Sequence, residues 1–247
     1  MKRKSKCFLV LLTFLLFLTG LAIILYPHFQ GASVDASIEQ DVQSFYEWLE
    51  NVPPPTGETV QGDHTSPEAI IHHLELLGAM QAYNEAIWEE EQAGLKDSLS
   101  YIRPSFFLRE YGLDSEIFGV ISIPKLNLEM PLYLGATTQH LAAGAAHLSN
   151  TSLPIGGINT NCVIAGHRGY GGATYFRHIT DLNPGDTVII TNLWETLTYT
   201  VCETKIIKPY EVSAIHIQDG RDLLTLLTCH PYGSGGKYRY LVFCQRA

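Results

Sequence analysis

Residues 223–243 read LLTLLTCHPYGSGGKYRYLVF, two apolar runs separated by a polar, glycine-rich segment. The first run ends at Cys229, and the second opens with Arg239 ten residues later. Two such runs on either side of a loop with several glycines are typical of a β-hairpin. Residues opposite one another in an antiparallel pair lie about 5 Å apart. The stretch therefore predicts a thiol beside a guanidinium at one rim of a sheet.

A thiol beside a fixed positive charge is a candidate nucleophile, because the charge favours the thiolate. The alternative is a buried structural cysteine next to an arginine at the edge of a sheet. The hairpin alone does not separate these two interpretations, so a further chemical group is needed to favour the first.

His167 supplies that group. It follows the apolar run 161–166 and opens a second glycine-rich loop. Catalytic groups often lie where a rigid strand meets an open loop, and histidine transfers protons near neutral pH. His230 is adjacent to Cys229, but neighbours on a strand point to opposite faces, which makes it the weaker partner. Among the remaining histidines, which fit surface or core positions, His147 is interpreted as a structural hydrogen-bonding residue.

The N-terminus has the composition of a membrane anchor. Residues 1–6 carry four basic side chains, and residues 7–26 are twenty residues without a charge. At about 1.5 Å per residue, a helix of this length spans roughly 30 Å, the thickness of a bilayer core. A cleaved signal peptide is the alternative, but the segment stays bulky up to Pro27. We favour an uncleaved, single-pass anchor with the rest of the chain outside the cell membrane.

Charge and cysteine content restrict the function further. Four of the 16 basic residues precede the apolar segment, so the remainder carries 12 basic and 25 acidic side chains, a formal charge of −13. This charge disfavours nucleic-acid binding and docking on anionic lipid. The five cysteines show no metal-ligand spacing, and no cofactor is expected. Cys162, Cys202 and Cys244 lie in apolar runs and are interpreted as small buried hydrophobes, with a disulfide between two of them as the alternative.

The first hundred or so residues predict helices. Apolar positions 38, 42, 45, 49 and 52 share one face of a helix over 38–52. Residues 53–57 (PPPTG) end this helix and begin a polar loop to Thr65. Ser66 and Pro67 then predict an N-cap and a first-turn proline for a second helix. Residues 93–116 look irregular.

From Ile117 the pattern changes to many short apolar runs bounded by turn residues. The predicted strands are 117–123, 126–134, 161–166, 187–191, 196–208, 223–229 and 238–244. Helices are predicted for the alanine-rich stretch 139–148 and for 175–182, and a turn for 183–186 (NPGD). Short strands at this spacing indicate a β-barrel or a sandwich.

Several motifs, taken together, resemble the signatures of sortases, the membrane-anchored cysteine transpeptidases of Gram-positive bacteria. The resemblance covers about residues 80–246 and is closest to the class C, pilus-assembling sortases. Each string is weak by itself, but their joint order and spacing are specific. The motifs are TLLTC at 225–229 with Arg239 downstream, GHRG at 166–169, YNEA at 83–86, TSLPIGG at 151–157 and CHPYG at 229–233.

The resemblance implies a mainly β fold, a closed eight-stranded sortase-type barrel with short helices. Cys229 would attack the carbonyl after threonine in an LPxTG-like sorting signal, and an amine would resolve the thioacyl-enzyme. In pilus assembly that amine is a lysine of another pilin subunit. His167 would act as general acid and base, Arg239 would hold the substrate and stabilise the oxyanion, and Thr228 would support the site.

The charge pattern, the apolar segment and the resemblance together predict four segments. Residues 1–6 are expected to be a cytoplasmic basic flank, and 7–26 a transmembrane signal anchor. Residues 27–112 are expected to form an extracellular helical extension, whose residues 38–110 serve as a lid, a spacer or a docking surface. Residues 113–247 are expected to form the catalytic sortase barrel.

The sequence departs from the class C pattern in three ways. It has no Asp-Pro-aromatic lid triplet, which argues against self-inhibition by a lid; the nearest cluster is PSFF at 104–107. It ends at Ala247 without a second apolar helix, which predicts a single anchor. The loop between Cys229 and Arg239 is one residue longer than the pattern, which leaves Arg246 as an alternative arginine.

Two other functions stay open at this point. Besides the pilus-assembling sortase, the alternatives are a sortase that attaches proteins to peptidoglycan and a non-catalytic, membrane-tethered binding barrel. In the second case, Cys229, His167 and Arg239 would serve packing and peptide recognition.

Overall fold

Eight strands form the sheet of the computed structural model, which describes residues 2–51, 67–95, 104 and 106–247. Their bounds are β1 (Ile117–Ile123), β2 (Leu128–Leu134), β3 (Ala145–His147), β4 (Thr160–Ala165), β5 (Thr187–Asn192), β6 (Thr196–Ile207), β7 (Asp222–His230) and β8 (Tyr238–Arg246). They close into a barrel in the order β1-β2-β3-β4-β7-β8-β6-β5. The β2–β3 and β4–β7 pairs are parallel and the others antiparallel. The predicted closed eight-stranded barrel is confirmed.

The barrel interior is filled by apolar side chains that alternate along the strands. Ile121, Ile164 and Leu226 are among its fully buried members. Cys162 and Cys244 belong to the same core as free thiols, and burial raises the pKa of both. They therefore behave as the small hydrophobes that the sequence predicts.

Cys202 differs from this prediction because it is exposed. The register between β6 and β8 shifts between Val201 and Glu203, so Cys202 occupies a bulge in the ladder. A bulged residue leaves the regular alternation of the strand, which a pattern of period two does not reveal. Among the described cysteines, Cys162, Cys202, Cys229 and Cys244 are all unpaired.

Two predicted helices are shorter than expected. In place of one helix over 139–148, α3 spans only Thr138–Ala143 and strand β3 follows it. Gly144 separates the two, and a Cβ there would lie 2.5 Å from the Pro131 carbonyl oxygen, so the chain passes too close to β2 for a larger residue. The stretch 175–182 forms turns and a short 3₁₀ segment, Ile179–Asp181.

The two helices predicted at 7–26 and 38–52 are parts of one continuous helix, α1 (Lys2–Asn51), which contains Pro27. From Val10 onward, α1 is long and apolar enough to cross a membrane by length and composition. Its second half packs on the barrel through the buried side chains of Ile38, Val42 and Phe45. The loop predicted at 53–65 and the N-cap Ser66 lie outside the described residues.

The second helix, α2 (Pro67–Glu89), brings two of the sequence motifs together. The amide of Asn150 donates to the Tyr83 hydroxyl at 3.1 Å, and the amide of Leu153 donates to Asn84 Oδ1 at 2.7 Å. Phe106 packs edge-on against the Tyr83 ring, with the ring centroids 5.7 Å apart. The YNEA motif thus fixes the loop that leads into β4.

Candidate active site

Strands β7 and β8 form the hairpin that the sequence predicts, and Cys229 pairs with Arg239. Their side chains converge on the loop between the strands. A Cβ built on Gly236 would lie 3.2 Å from Cys229 Sγ and 3.0 Å from Arg239 Nη1. A glycine at 236 therefore leaves the space in which the thiol and the guanidinium approach one another.

Arg239 is a buried cation with spare donors. Only 4% of its surface is exposed, and Nη1 donates to the carbonyls of Gly236 and Tyr238. Its Nε has no hydrogen-bond partner, and no carboxylate forms a salt bridge with it, within the part of the chain that the structure describes. A buried charge without a counter-ion favours any anion or carbonyl oxygen that enters the site.

Arg246, the alternative arginine, lies at the other end of β8. It pairs with Tyr199 and forms a salt bridge to Glu195 at 3.7 Å. Seven residues of extended strand separate it from Arg239, roughly 24 Å. Arg239 is therefore the arginine that the hairpin brings to Cys229.

The parallel β4–β7 pair brings His167 to the same rim. Ala165 pairs with Leu227. His167 lies two residues after Ala165, and Cys229 lies two residues after Leu227, so the two reach the same end of the sheet. Two hydrogen bonds continue the pairing past the strand end. Gly166 N donates to the Leu227 carbonyl at 3.1 Å, and Thr228 Oγ1 donates to the Gly166 carbonyl at 2.7 Å. Thr228 thereby fixes the residue that precedes His167.

The imidazole of His167 is held between two aromatic rings. Tyr170 stacks on it with ring centroids 4.9 Å apart, and Tyr175 meets it edge-on at 5.7 Å. Burial lowers the pKa of His167 below that of a free histidine. The neutral ring is therefore favoured near pH 7, ready to accept a proton.

The loop after His167 is fixed from two sides. The Tyr175 hydroxyl donates to the Ala142 carbonyl at 2.7 Å. Helix α1 contributes Asp35, whose carboxylate accepts from the Thr174 amide at 3.1 Å and from its hydroxyl at 3.4 Å. The orientation of His167 thus depends on a helix more than a hundred residues earlier in the chain.

A second pair of side chains lies beside the predicted three, and sequence reasoning did not find it. Arg168 donates to Nδ1 of His230 and, at 3.3 Å, to the Thr180 hydroxyl. Burial and the nearby guanidinium both lower the pKa of His230. The sequence indicates this pair only through position: Arg168 directly follows His167, and His230 directly follows Cys229. The pair joins the two strand ends that hold His167 and Cys229.

The arrangement offers a nucleophile, a proton carrier and a fixed cation at one end of the barrel. These are the groups needed for acyl transfer through a thioester. In the described part of the chain, no cluster of three or more His, Cys, Asp or Glu side chains is placed to hold a metal ion.

Comparison with known proteins finds sortases by sequence and by structure. A sortase domain model matches residues 121–247. Sortase D of Bacillus subtilis is 30% identical over 160 residues, which cover 64% of this chain and 76% of that protein. The pilus-related sortase C of Group B Streptococcus superposes with a TM-score of 0.67 at 30% identity, covering 83% of this chain and 96% of that one. Sortase C-1 of Streptococcus pneumoniae gives a TM-score of 0.68 at 29% identity, with 84% and 98% covered.

Proposed function

The chain belongs to the sortase family, and we propose that this transpeptidase cleaves an LPxTG-like sorting signal after its threonine and transfers the acyl group to an amine. The observation that carries the proposal is the convergence of Cys229, Arg239 and His167 on the ends of three adjacent strands.

The first half-reaction forms the thioester. Cys229 gives its proton to His167, and the sulfur bonds to the threonine carbonyl carbon. The C–N bond to the next residue breaks, and the leaving amine takes the proton from His167. Arg239 donates to the carbonyl oxygen while it carries negative charge, since its Nε is otherwise without a partner in the described structure.

The second half-reaction restores the enzyme. An incoming amine attacks the thioester carbonyl and gives its surplus proton to His167. As the new amide forms, the C–S bond breaks and Cys229 leaves with the electron pair. His167 then returns the proton to the sulfur. A thioester suits this transfer because amines attack it readily when water is kept from the site.

We infer that the acceptor is a lysine of a pilin subunit. The support is the set of structural neighbours, which includes a sortase described as pilus-related. Sortases of other classes are also relatives, among them sortase A of Listeria monocytogenes at 30% identity over 146 residues. A peptidoglycan amine is therefore the second candidate acceptor.

Helix α1 is proposed to anchor the enzyme in the cell membrane. Its first half has the length and composition of a membrane span, and four basic residues precede it. The basic flank stays in the cytoplasm and the barrel lies outside. Substrates that carry sorting signals then meet the enzyme on the outer face.

Incubating the full chain in detergent micelles with a purified pilin tests the reaction. The wild-type enzyme and Cys202→Ala, which removes an exposed thiol from the bulge of β6 opposite Cys244, should both yield a ladder of covalent multimers. Cys229→Ala should yield none. A ladder from Cys229→Ala, or no cleavage of a sorting-signal peptide by the wild type, would contradict the proposal.

Two further measurements separate the remaining functions. Supplying a pilin lysine and a peptidoglycan-type amine in competition identifies the acceptor from the mass of the product. Alkylation of the folded protein should label Cys229 rapidly. A Cys229 that is labelled only after unfolding would instead indicate a non-catalytic binding barrel.

A further inference from the structure

Helix α1 touches the loop that follows His167 where the helix leaves its apolar segment. A Cβ on Gly172 would lie 2.2 Å from the Pro27 carbonyl oxygen, and a Cβ on Gly31 would lie 2.4 Å from the Gly172 carbonyl carbon. The two backbones are therefore in direct contact. Pro27 directly follows the uncharged segment 7–26, so the His167 loop lies beside the end of the candidate membrane span.

A chain of contacts continues from this point to the Cys229 loop. Tyr170, two residues before Gly172, stacks on His167. On the other side, a Cβ on Gly169 would lie 2.7 Å from Arg177 Nε. The Arg177 guanidinium lies over the Tyr232 ring, 5.3 Å from its centroid. The rim of the site and the end of the span thus form one continuous surface.

This surface exposes large aromatic side chains. Tyr26 and Phe29 on α1 are 65% and 72% exposed, and Tyr170 and Tyr232 on the two site loops are 62% and 58% exposed. We call these four residues the aromatic rim. Tyrosine rings concentrate at membrane–water interfaces, where the apolar ring meets the headgroups and the hydroxyl stays hydrated.

We propose that the aromatic rim rests in the headgroup layer of the bilayer, so that the site opens at the membrane surface. The proposal rests on α1 spanning the membrane, as proposed above. Substrate would then reach Cys229 along the lipid surface.

The lipid contact is not driven by net charge. The part of the chain after residue 6 carries a formal charge of −13, which opposes attraction to anionic lipid. The aromatic rim contacts lipid because α1 holds it at that height. The aromatic rim should therefore contact the headgroups of zwitterionic vesicles, and this contact should not depend on salt concentration.

The other end of α1 provides an internal control. Trp48 lies nineteen residues beyond Phe29, roughly 28 Å along the helix. It lines a cavity together with Leu113, Asp114 and Ser115. The exposed Asp114 therefore marks a pole of the protein that should lie well above the membrane.

Depth-dependent quenching tests the proposal on the full chain in phosphatidylcholine vesicles. Single fluorophores are attached at Tyr170→Cys, Tyr232→Cys or Asp114→Cys, in a background with Cys7, Cys202 and Cys229 changed to serine. Cys162 and Cys244 are buried and stay unlabelled in the folded protein. A nitroxide carried on the lipid headgroup is the quencher.

We expect quenching at positions 170 and 232 and none at position 114, at low and at high salt. Equal quenching at positions 170, 232 and 114 would overturn the proposal. The absence of quenching at positions 170 and 232 would also overturn it. A protein that fails to float with the vesicles would overturn it as well. The outcome is independent of the proposed function, because wild-type cleavage of a soluble sorting-signal peptide in detergent is measured separately.

Discussion

Cys229 and Arg239 face one another directly across the β7–β8 pair, and Gly236 lies between the two side chains. The loop that joins them folds back so that a Cβ added to its last glycine would crowd both side chains. One hairpin therefore supplies the proposed nucleophile and the proposed cation. The proposed proton carrier, His167, lies in the loop that follows β4.

Replacing Arg239 by lysine should lower kcat/KM for a sorting-signal peptide by about a hundredfold, the usual effect of losing one oxyanion donor. Lysine keeps the charge, but its single nitrogen cannot bind the Gly236 and Tyr238 carbonyls as Nη1 does and also supply the free Nε donor. Arg246→Lys is the matched control at the far end of the same strand and should change kcat/KM little. Similar losses in both variants would show that the effect is structural.

Gly236→Ala should impair the site more than Gly235→Ala does. Both glycines have positive φ, +82° and +65°, so alanine costs about 1–2 kcal/mol of strain at either position. Only at Gly236 would the new methyl group also crowd Cys229 and Arg239; at Gly235 nothing lies within 4 Å. Thermal unfolding should show similar destabilisation, whereas peptide cleavage should fall only in Gly236→Ala. Equal activity in the two variants would contradict the site geometry.

The imidazole of His167 should titrate with a midpoint below 6.5, because burial lowers its pKa. NMR of the ring protons across the pH range measures this directly. Tyr170→Ala removes a ring that covers the imidazole, so the midpoint should rise towards 6.5. Tyr232→Ala removes an exposed ring elsewhere and should leave the midpoint in place. A wild-type midpoint above 6.5 would refute the prediction.

His147 should make stability depend on pH. It is fully buried, and burial lowers its pKa to about 4. The unfolded state therefore binds more protons between pH 6.5 and 4. The stabilising contribution is complete above pH 6.5 and is lost as the pH falls to about 4, a change of about 3 kcal/mol.

Denaturant unfolding at several pH values measures this dependence. His147→Gln keeps a donor for the Thr151 carbonyl, which accepts from Nε2 at 3.1 Å, and should flatten the curve. The exposed His178→Gln is the control and should keep the wild-type slope. If His147→Gln kept the wild-type dependence of unfolding free energy on pH, another titrating group would be responsible for that dependence.

Gly31→Ala should loosen the His167 loop although alanine is the better helix former. Helix propensity alone favours the substitution by about 1 kcal/mol. The new Cβ, however, would meet the backbone of Gly172 and Ala173. Hydrogen exchange at the Ala173 and Thr174 amides should therefore accelerate.

Gly78→Ala is the matched control in α2, where nothing lies within 4 Å of the added carbon. It should stabilise the protein slightly and leave exchange in the loop unchanged. Exchange that stays slow in Gly31→Ala would show that α1 does not fix the loop.

Much of the candidate site was predictable because its parts are local in sequence. The apolar runs on either side of the 230–237 loop determine that Cys229 and Arg239 are opposite one another. The end of the run before His167 likewise identified a strand terminus. Strands and glycine-rich loops are determined mainly by residues close to one another in the sequence. An apolar run and the turn residues that bound it therefore predict both directly.

The features that were missed depend on distant contacts. The alanine-rich stretch 139–148 has helical propensity, but its second half pairs with β2, which no local pattern encodes. Arg168 and His230 meet only because β4 and β7 are neighbours in the barrel. The contact of Gly31 with Gly172 joins a helix to a loop that is far away in the sequence. Residue types alone indicate such pairs only weakly.

The parallel pairing of β4 with β7 also bears on how the newly made protein reaches its reactive state. The hydrogen bond from Thr228 to Gly166 joins residues 62 positions apart, with β5 and β6 between them. Contacts of such long sequence separation form late, because a large loop must close first. A partly folded chain would therefore carry the Cys229 thiol before His167 is brought beside it. If His167 is the proton carrier, as proposed, the site becomes complete only when the β4–β7 pair closes.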